Sequence, residues 1–261
     1  MKLAYDMDNG SARRARLGLM VLHVDETIET EFRRLVDMDG VAVHVTRVRS
    51  GAEVTAETLQ DMAARIPEAA RLLPPSAALD VVGYACTSGA TIIGPDHVAQ
   101  SIRAARPADD PGSFARTRIT DPLTAARAAC RALGVRRLGF VSPYIASVSA
   151  ALRTALEAEG LEIAAFGSFE QAEERAVARI APASIRAAVL RVGRSASCDA
   201  VFVSCTNART LGVIEETERE LGVPVLSSNQ VLAWHMLRLA GIDDGPAAAG
   251  ALRGARAPCR Y

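Results

Sequence analysis

The chain carries one short pattern twice. In each copy an apolar, strand-like run ends in Cys-Thr and continues into small or polar residues. The first copy is Leu79-Asp80-Val81-Val82 followed by Gly83-Tyr84-Ala85-Cys86-Thr87-Ser88-Gly89, and the second is Ala200-Val201-Phe202-Val203 followed by Ser204-Cys205-Thr206-Asn207. The two cysteines lie roughly 120 residues apart in a chain of 261. This spacing indicates a doubled unit with one thiol in each half.

The elements around the two cysteines also recur in the same order. An apolar run at 17–22 predicts a first strand, and Arg137 to Ser142 matches it in the second half. Strand-like and helix-like patterns alternate through both halves, which predicts two parallel-sheet α/β units with eight strands in all. Ligands of such sheets bind beyond the carboxyl ends of strands. If the halves face each other across a pseudo-twofold axis, the two thiols meet at one cleft.

Composition excludes several classes of partner. Lys+Arg and Asp+Glu number 30 each, so a net charge of zero gives no electrostatic reason to expect nucleic acid or an anionic membrane. No apolar run approaches the length of a membrane span, and residues 1–8 lack the apolar core of a signal peptide. We therefore expect a soluble cytoplasmic protein with no membrane and no nucleic-acid partner.

The five cysteines show neither CxxC spacing nor an even count, which argues against a disulfide framework and against a zinc site. Cys130 lies on the apolar face of a predicted helix, Cys198 in a serine-rich loop and Cys259 in an Ala-, Gly- and Pro-rich tail. Only Cys86 and Cys205 follow buried-looking strands, so these two are the candidates for chemistry. We expect no metal.

Five segments carry a resemblance to a known superfamily: residues 25–32, 83–89, 142–144, 204–207 and 227–230. With them the chain resembles the Asp/Glu racemase superfamily, in the branch of maleate isomerases and arylmalonate decarboxylases, and most of all the ectoine-utilisation proteins. The resemblance implies a cofactor-free enzyme of two pseudo-twofold-related lobes, each with a mainly parallel four-stranded sheet. It also implies that the last helix returns to the first lobe. The first lobe is then 1–119 plus 228–261, with the last ~19 residues disordered by their composition, and the second is 120–227.

Two opposed thiols suit two reactions. In racemisation one thiolate removes a Cα proton and the opposite thiol returns a proton to the other face. In cis–trans isomerisation a thiolate adds to a C=C bond, the adduct rotates, and the thiolate leaves. Thiols near hydrogen-bond donors can become thiolates at neutral pH. Three neighbouring hydroxyls are candidates to hold a substrate carboxylate: Thr87, Ser88 and Thr206.

Departures from the family pattern narrow the range of possible substrates. Maleate isomerases carry an Asn at the position of Asp25, and Glu174 aligns roughly with a second Asn of that family. A carboxylate placed against a substrate carboxylate would repel it, so both changes favour a substrate with an amino group. Asn207 stands where glutamate racemases have His, which argues against glutamate. Arylmalonate decarboxylases keep only the second cysteine, so Cys86 argues against decarboxylation.

The residues also allow simpler interpretations. Asp25 could cap the helix that follows it, Glu174 could be a solvated loop acid, and Ser227 and Ser228 could cap the last helix. Tyr144 follows the turn equivalent to Asp25, where the family places a substrate-contacting Tyr. Asn207 could contact substrate or cap a helix.

The leading hypothesis is a cofactor-independent two-cysteine racemase or isomerase acting on a small amino-acid-derived carboxylate, in ectoine or hydroxyectoine breakdown. A maleate-type cis–trans isomerase with Cys86 as the covalent nucleophile is the first alternative. A non-catalytic binding or regulatory protein for an ectoine metabolite is the second. From the family we also expect a homo-oligomer, either a dimer or a tetramer.

Overall fold

Two four-stranded parallel sheets organise the part of the chain that the computed structural model describes, which is residues 1–8, 10–75, 78–110, 112–243 and 250–255. Their strand orders are β2-β1-β3-β4 and β6-β5-β7-β8, so the second sheet repeats the topology of the first. The strands are β1 Ala15–Leu22, β2 Val41–Val48, β3 Val81–Ala85, β4 Arg118–Thr120, β5 Arg137–Tyr144, β6 Glu162–Gln171, β7 Ala200–Val203 and β8 Val225–Ser227. The predicted fold class, two parallel-sheet α/β units, is confirmed.

Helices connect the strands and cover the sheets. They are α1 Ile28–Leu35, α2 Ala56–Asp61, α3 Ile66–Arg71, α4 Thr87–Ile93, α5 Pro95–Ala104, α6 Pro122–Leu133, α7 Ala146–Glu157, α8 Glu174–Arg179, α9 Pro182–Ser195, α10 Ile214–Leu221 and α11 Ser228–Leu239. Short 3₁₀ turns lie at Ala63–Arg65, Leu211–Val213 and Gly250–Gly254. None of the helices in the described ranges is long and apolar enough to cross a bilayer.

The central strands are buried on both faces, as the continuous apolar runs predict. In the first sheet β1 lies between β2 and β3 in parallel register, with Leu19 opposite Val45 and Gly83. In the second sheet β5 lies between β6 and β7 in the same way. Because β3 and β7 hold equivalent places, Cys86 and Cys205 follow equivalent strand ends.

Helix α11 packs on the first sheet although it follows the last strand of the second. Its residues Leu232, Ala233 and Met236 share one buried apolar cluster with Leu17 and Leu19 of β1. A side chain at Gly83 would collide with Met236, since an added Cβ would lie 2.5 Å from its sulfur. The small residue in β3 therefore lets this helix approach the sheet closely.

Two local predictions differ from the structure. The spacing of Leu59, Met62 and Ile66 predicts one long helix from about Thr55 to Leu73 with a kink at Pro67. In the structure α2 ends at Asp61 and α3 begins at Ile66, because Pro67 at the start of α3 cannot continue a preceding helix. The tail is expected to be disordered, yet Gly250–Gly254 forms a 3₁₀ turn with Leu252 fully buried. The remaining tail positions, 244–249 and 256–261 with Cys259, lie outside the described residues.

Candidate active site

Cys86 occupies the turn between β3 and α4. Its Sγ accepts a hydrogen bond from the backbone N–H of Gly89 at 3.2 Å and lies 3.6 Å from the hydroxyl of Ser88, so the thiol caps the helix. Gly89 is required there, because an added Cβ would lie 2.7 Å from the Tyr84 hydroxyl and 2.9 Å from Sγ of Cys86. The first thiol therefore lies at a strand end, and the backbone N–H of Gly89 donates a hydrogen bond to its sulfur.

Cys205 occupies the equivalent turn after β7 in a strained conformation. Its φ is +101°, a region that non-glycine residues rarely adopt. Its Sγ accepts the backbone N–H of Asn207 at 3.3 Å, and its own N–H donates to the hydroxyl of Ser228 at 3.0 Å. Strained backbone of this kind persists where surrounding contacts hold it, and it is frequent at functional sites.

The two cysteine turns are joined by hydroxyl groups. Oγ of Ser228, which accepts from Cys205, also lies 2.8 Å from Oγ1 of Thr87. Thr206 donates its hydroxyl to the carbonyl oxygen of Ala85 at 3.3 Å. Each cysteine turn is therefore bonded to the other lobe or to the helix that bridges them, and both turns belong to one site.

Of the two serines predicted to cap the last helix, Ser227 is confirmed and Ser228 was wrong. Ser227 caps α11 and forms a capping box with Gln230, whereas Ser228 points its hydroxyl to the two cysteine turns. A Ser-Ser pair at a helix start gives no local signal of which hydroxyl faces inward. No local pattern predicts this contact, because the partners of Ser228 lie 23 and 141 residues away along the chain.

Two buried tyrosines face the thiols. The Tyr144 side chain, at the end of β5, interacts with the thiol of Cys205, and burial raises its pKa well above the usual value, with both thiols adding to the effect. Tyr84 is the equivalent neighbour of Cys86, and burial likewise raises the pKa of its hydroxyl. Within the described ranges the Tyr84 hydroxyl has no hydrogen-bond partner. Tyr84 was not predicted as a site residue, although it lies within the Gly83–Gly89 motif.

Asp25 both caps a helix and faces the site. Its Oδ1 accepts the backbone N–H groups of Thr27 and Ile28 at 2.8 and 2.9 Å at the start of α1. Its Oδ2 is buried and has no hydrogen-bond partner among the residues described, since the nearby Thr206 donates to Ala85 instead. Burial raises the pKa of this carboxyl, against the effect of its hydrogen bonds and of Arg47. One carboxylate oxygen therefore remains available to a ligand.

Glu174 is buried, so the alternative of a solvated loop acid was wrong. It begins α8, where a short antiparallel contact joins the lobes: the N–H of Glu174 donates to Ala52 at 3.2 Å and that of Val54 to Ala172 at 2.8 Å. Its Oε2 accepts the side-chain amide of Asn207 at 3.0 Å. Burial, with a smaller contribution from Asp25, raises the pKa of Glu174 to about 7.

The side-chain amide of Asn207 is bonded to Glu174 and is not free to contact a substrate. Its Nδ2 donates to both the side chain and the carbonyl of Glu174, and its Oδ1 accepts the N–H of Glu26 at 2.9 Å. Its own carbonyl accepts the hydroxyl of Thr27 at 2.9 Å. The residue predicted to contact substrate thus ties the second cysteine turn to α1 and fixes the position of Glu174.

A third buried carboxylate, Glu31, holds the segment after Cys205. It accepts the N–H groups of Thr210 and Leu211 at 2.7 and 2.8 Å, and the amide of Asn229 at 2.8 Å. Asn229 also donates to the carbonyl of Thr206 at 2.9 Å. Glu31 was part of the quoted motif but was given no role by sequence, because its partners lie almost 200 residues away.

Both thiols rest in an environment that disfavours the thiolate. Burial raises the pKa of Cys86 to about 12, and the carboxylate of Glu174 adds to this effect against the hydrogen bonds from Ser88 and Gly89. Burial and Glu174 also raise the pKa of Cys205 well above its usual value. The low thiol pKa expected from neighbouring donors is therefore not observed, and both sulfurs rest protonated at neutral pH.

All nine residues predicted for the site are buried, and they converge around the two strand ends. They are Asp25, Cys86, Thr87, Ser88, Tyr144, Glu174, Cys205, Thr206 and Asn207. A cavity of about 10 Å³, enough for one water molecule, lies between Glu174 and the loop at 50–54. The site is thus buried in this conformation. Within the described residues no cluster of His, Cys, Asp and Glu is arranged to hold a metal.

Two parallel-sheet lobes with a buried thiol at the equivalent strand end of each define a fold of the Asp/Glu racemase type. The family model described as arylmalonate decarboxylase matches residues 51–253, and the chain belongs to this family.

Individual relatives span nearly the whole chain. A maleate isomerase of Nocardia farcinica is 31% identical over 242 residues, covering 91% of this chain and 94% of its own. The solved structure of a cysteine-to-alanine variant of the maleate isomerase Iso from Pseudomonas putida S16 with maleate superposes with a TM-score of 0.81 at 26% identity, covering 92% of this chain and 98% of that one. A mutant of the Nocardia farcinica maleate cis–trans isomerase, solved with a covalently bound succinylcysteine intermediate, superposes with a TM-score of 0.77 at 27% identity over the same shares.

Proposed function

We propose that the protein is a cofactor-independent two-thiol isomerase, a racemase that acts on a small carboxylate bearing an amino group. The observation that carries this proposal is the junction of the two cysteine turns through Ser228. This junction supports a single buried site that holds two thiols from pseudo-equivalent positions. Racemisation needs two proton-transferring groups on opposite faces of one carbon, and a pseudo-twofold pair supplies them.

In the proposed reaction one sulfur, as thiolate, takes the Cα proton and the C–H electron pair remains on carbon, delocalised into the substrate carboxylate. The opposite thiol then donates its proton to the other face, and its S–H electron pair stays on sulfur. Cys86 and Cys205 exchange roles for the opposite enantiomer. The Ser88 hydroxyl lies beside the Cys86 sulfur, and the hydroxyls of Thr87 and Thr206, now bonded to Ser228 and to the Ala85 carbonyl, are further candidates to hold the substrate carboxylate. The Tyr144 side chain interacts with the thiol of Cys205.

The acids of the site support an amino group on the substrate. Oδ2 of Asp25 is buried without a partner, and Glu174 is a second buried carboxyl that acts on both thiols. A substrate ammonium would supply the missing donor and offset the negative charge of these carboxyls when they are ionised, whereas a second substrate carboxylate would add further negative charge. The resemblance to ectoine-utilisation proteins favours an amino acid formed in ectoine or hydroxyectoine degradation.

A maleate-type cis–trans isomerase is the second candidate. It is favoured by the maleate isomerases to which the chain is similar, one of which was solved with a succinylcysteine intermediate. In this alternative the thiolate of Cys86 adds to the double bond, rotation follows about the resulting single bond, and elimination restores the thiolate. Asp25 and Glu174 argue against it, since both would oppose the two carboxylates of maleate.

The two candidates differ in what happens to protons and sulfur. We would incubate the protein in D2O with small amino acids, including acetylated diaminobutyrates, and follow the α-proton by NMR; maleate would be tested in parallel with intact-protein mass spectrometry. A racemase exchanges the α-proton, and Cys86→Ser or Cys205→Ser abolishes racemisation. Cys130→Ser is the matched control, because this thiol is equally buried but lies on α6.

Two other results would each favour an alternative function. A mass adduct of maleate on Cys86, with conversion to fumarate and no exchange of any amino acid, would replace the racemase by the cis–trans isomerase. Thermal stabilisation by an amino acid without exchange or isomerisation of any ligand would leave a non-catalytic binding protein as the remaining hypothesis.

A further inference from the structure

Residues 1–8 form an exposed segment with a strand-like alternation. Every one of these residues is exposed, and the large apolar side chains are Met1, Leu3, Tyr5 and Met7. Only three other large apolar residues are similarly exposed in the described part of the chain. Four apolar side chains at every second position share one side of an extended segment, so this segment presents an apolar stripe to solvent.

A groove with matching character lies on the first lobe. Helix α1 covers β1 but leaves β2 open, and the resulting groove has a volume of about 510 Å³. Its floor is formed by Val41, Val43 and Val45 on one face of β2, with Phe32 of α1 and Val36 just after α1 as its wall. Parallel sheets are normally covered on both faces, so the uncovered face of β2 is an unusual feature. Val45, 44% exposed, is one of the three other exposed apolar residues.

The segment does not cover the groove of its own chain. It leaves the fold beside the start of β2, where Arg14 donates its N–H to Gly40 at 2.8 Å and Arg13 pairs with Asp39. Eight extended residues reach roughly 26 Å, at ~3.3 Å each, which is enough to cross an adjacent subunit's strand. In this conformation Met1 and Met7 are fully exposed instead. One chain therefore carries an apolar stripe and an apolar groove that are both unfilled.

Charged side chains flank both surfaces. The segment carries Lys2, Asp6 and Asp8, and the groove is lined by Arg33 and Arg34 together with Glu29 and Asp37, so each surface offers both signs of charge to the other. We propose that residues 1–8 of one copy lie in the groove of a second copy, and that the two copies exchange these segments about a twofold axis. Such a reciprocal contact uses the same surfaces twice and closes at a dimer. Two exchanged segments would bury an area on the order of the ~1,200–2,000 Å² of stable interfaces.

Mass measurement of the full chain tests the assembly first. Sedimentation velocity across micromolar concentrations should give a species of twice the 27.6 kDa chain mass. The double change Leu3→Asp with Tyr5→Asp, and separately Val43→Asp in the groove, should each weaken dimerisation by about 100-fold or more, since each places a charge against apolar surface. Leu72→Asp is the matched control, because Leu72 is 73% exposed but lies outside both surfaces; it should leave the dimer intact.

Three results would overturn the proposal. A wild-type monomer at every concentration excludes the exchange. A dimer that persists in the Leu3→Asp/Tyr5→Asp variant, or one that persists in Val43→Asp, assigns the interface to another surface. The altered positions are exposed or half-exposed, and circular dichroism with thermal unfolding distinguishes a folded monomer from a misfolded chain.

Cross-linking tests the pairing directly. In a Cys198→Ser/Cys259→Ser background, chains with Tyr5→Cys are mixed with chains with Val45→Cys and oxidised. A covalent dimer that forms in the mixture, and in neither chain alone, supports the exchange. A cross-link within single chains that carry both changes, formed at a dilution where they are monomeric, would show that the segment folds onto its own groove and would refute the proposal.

Discussion

Replacing Ser228 by alanine should loosen both cysteine turns at once. The Ser228 hydroxyl accepts the N–H of Cys205 at 3.0 Å and lies 2.8 Å from the hydroxyl of Thr87, and all three residues are buried. Alanine removes only the oxygen, so the helix start and its cap at Ser227 stay intact. Two buried polar groups, one backbone and one side-chain, would then lose their partner.

The size of the effect follows from those two groups. Leaving a buried donor or acceptor unpaired costs about 1–3 kcal/mol. We expect a loss of about 3 kcal/mol rather than the full sum of about 2–6 kcal/mol, because the Thr87 hydroxyl can rotate. For a chain of this size that loss corresponds to a melting temperature lower by about 6–12 °C. The strained backbone at Cys205 would also lose a contact that holds it, so turnover should fall more than ligand binding.

Urea unfolding followed by circular dichroism measures this loss, with an unchanged dependence on urea showing that the native state stays compact. Ser195→Ala, which removes a hydroxyl near the end of α9, is the matched control and should stay within about 0.5 kcal/mol of wild type. Thr87→Val combined with Ser228→Ala should be about 1 kcal/mol less destabilising than the two changes added together. A loss below about 0.5 kcal/mol in Ser228→Ala would refute the idea that this hydroxyl joins the turns.

Three further predictions concern strain and buried titratable groups. Cys205→Gly should be more stable than Cys205→Ala by about 1–2 kcal/mol in urea unfolding, because glycine adopts a φ of +101° without strain. The pKa of Glu174 is raised to about 7, so the folded state holds this proton more tightly than the unfolded chain does. The contribution of Glu174 to the free energy of unfolding should therefore fall by about 3 kcal/mol as pH rises from 4.5 to 7. Unfolding of Glu174→Gln, measured at several pH values, should lack this fall. Burial lowers the pKa of His235 to about 4, so its contribution is present above pH 6.5 and about 3 kcal/mol is lost as pH falls through 4. His235→Gln should lack that loss, and because the two groups act in opposite directions each single variant should show a steeper pH dependence than wild type.

The fold could be predicted from the sequence because its signals are local. Apolar runs mark β1 and β5, and a recurring strand–Cys-Thr pattern marks the two equivalent strand ends. The structure differs where composition misleads: Leu252 lies in a low-complexity tail, yet it is fully buried. Its Ala- and Gly-rich neighbours form a turn whose backbone carbonyl at Ala255 accepts the indole N–H of Trp234. A long-range anchor of this kind leaves no mark in local composition.

The site was predictable only in part for the same reason. The cysteines and Asp25 follow strands, and strand ends converge in a parallel sheet. Ser228 and Glu31 bind partners far away along the chain, and no periodic pattern reports such contacts. The protonation state of the thiols could not be predicted from the sequence either, since it depends on burial. A cysteine beside hydroxyls predicts a lowered thiol pKa, whereas burial raises the pKa of Cys86 to about 12.

The protonated thiols lead to a last prediction that separates the two candidate substrates. Burial and the carboxylate of Glu174 both raise the pKa of the sulfurs, so the buried site disfavours a thiolate. An ammonium bound within about 4–6 Å of these groups would shift their pKa values downward by about 1–3 units, whereas a dicarboxylate would shift them upward. An amino-acid substrate would thus help to create the thiolate that acts on it.

Thiolate absorbance in the ultraviolet, titrated against pH with and without ligand, measures this shift. An amino-acid ligand should move the apparent thiol pKa of wild type downward, and the signal should shrink in Cys86→Ser and in Cys205→Ser but persist in Cys130→Ser. Glu174→Gln should lower the thiol pKa even without ligand, because it removes the carboxylate that acts on both sulfurs. If instead maleate lowers the thiol pKa and amino acids leave it unchanged, Asp25 and Glu174 do not select an ammonium, and the cis–trans isomerase becomes the better description of the site.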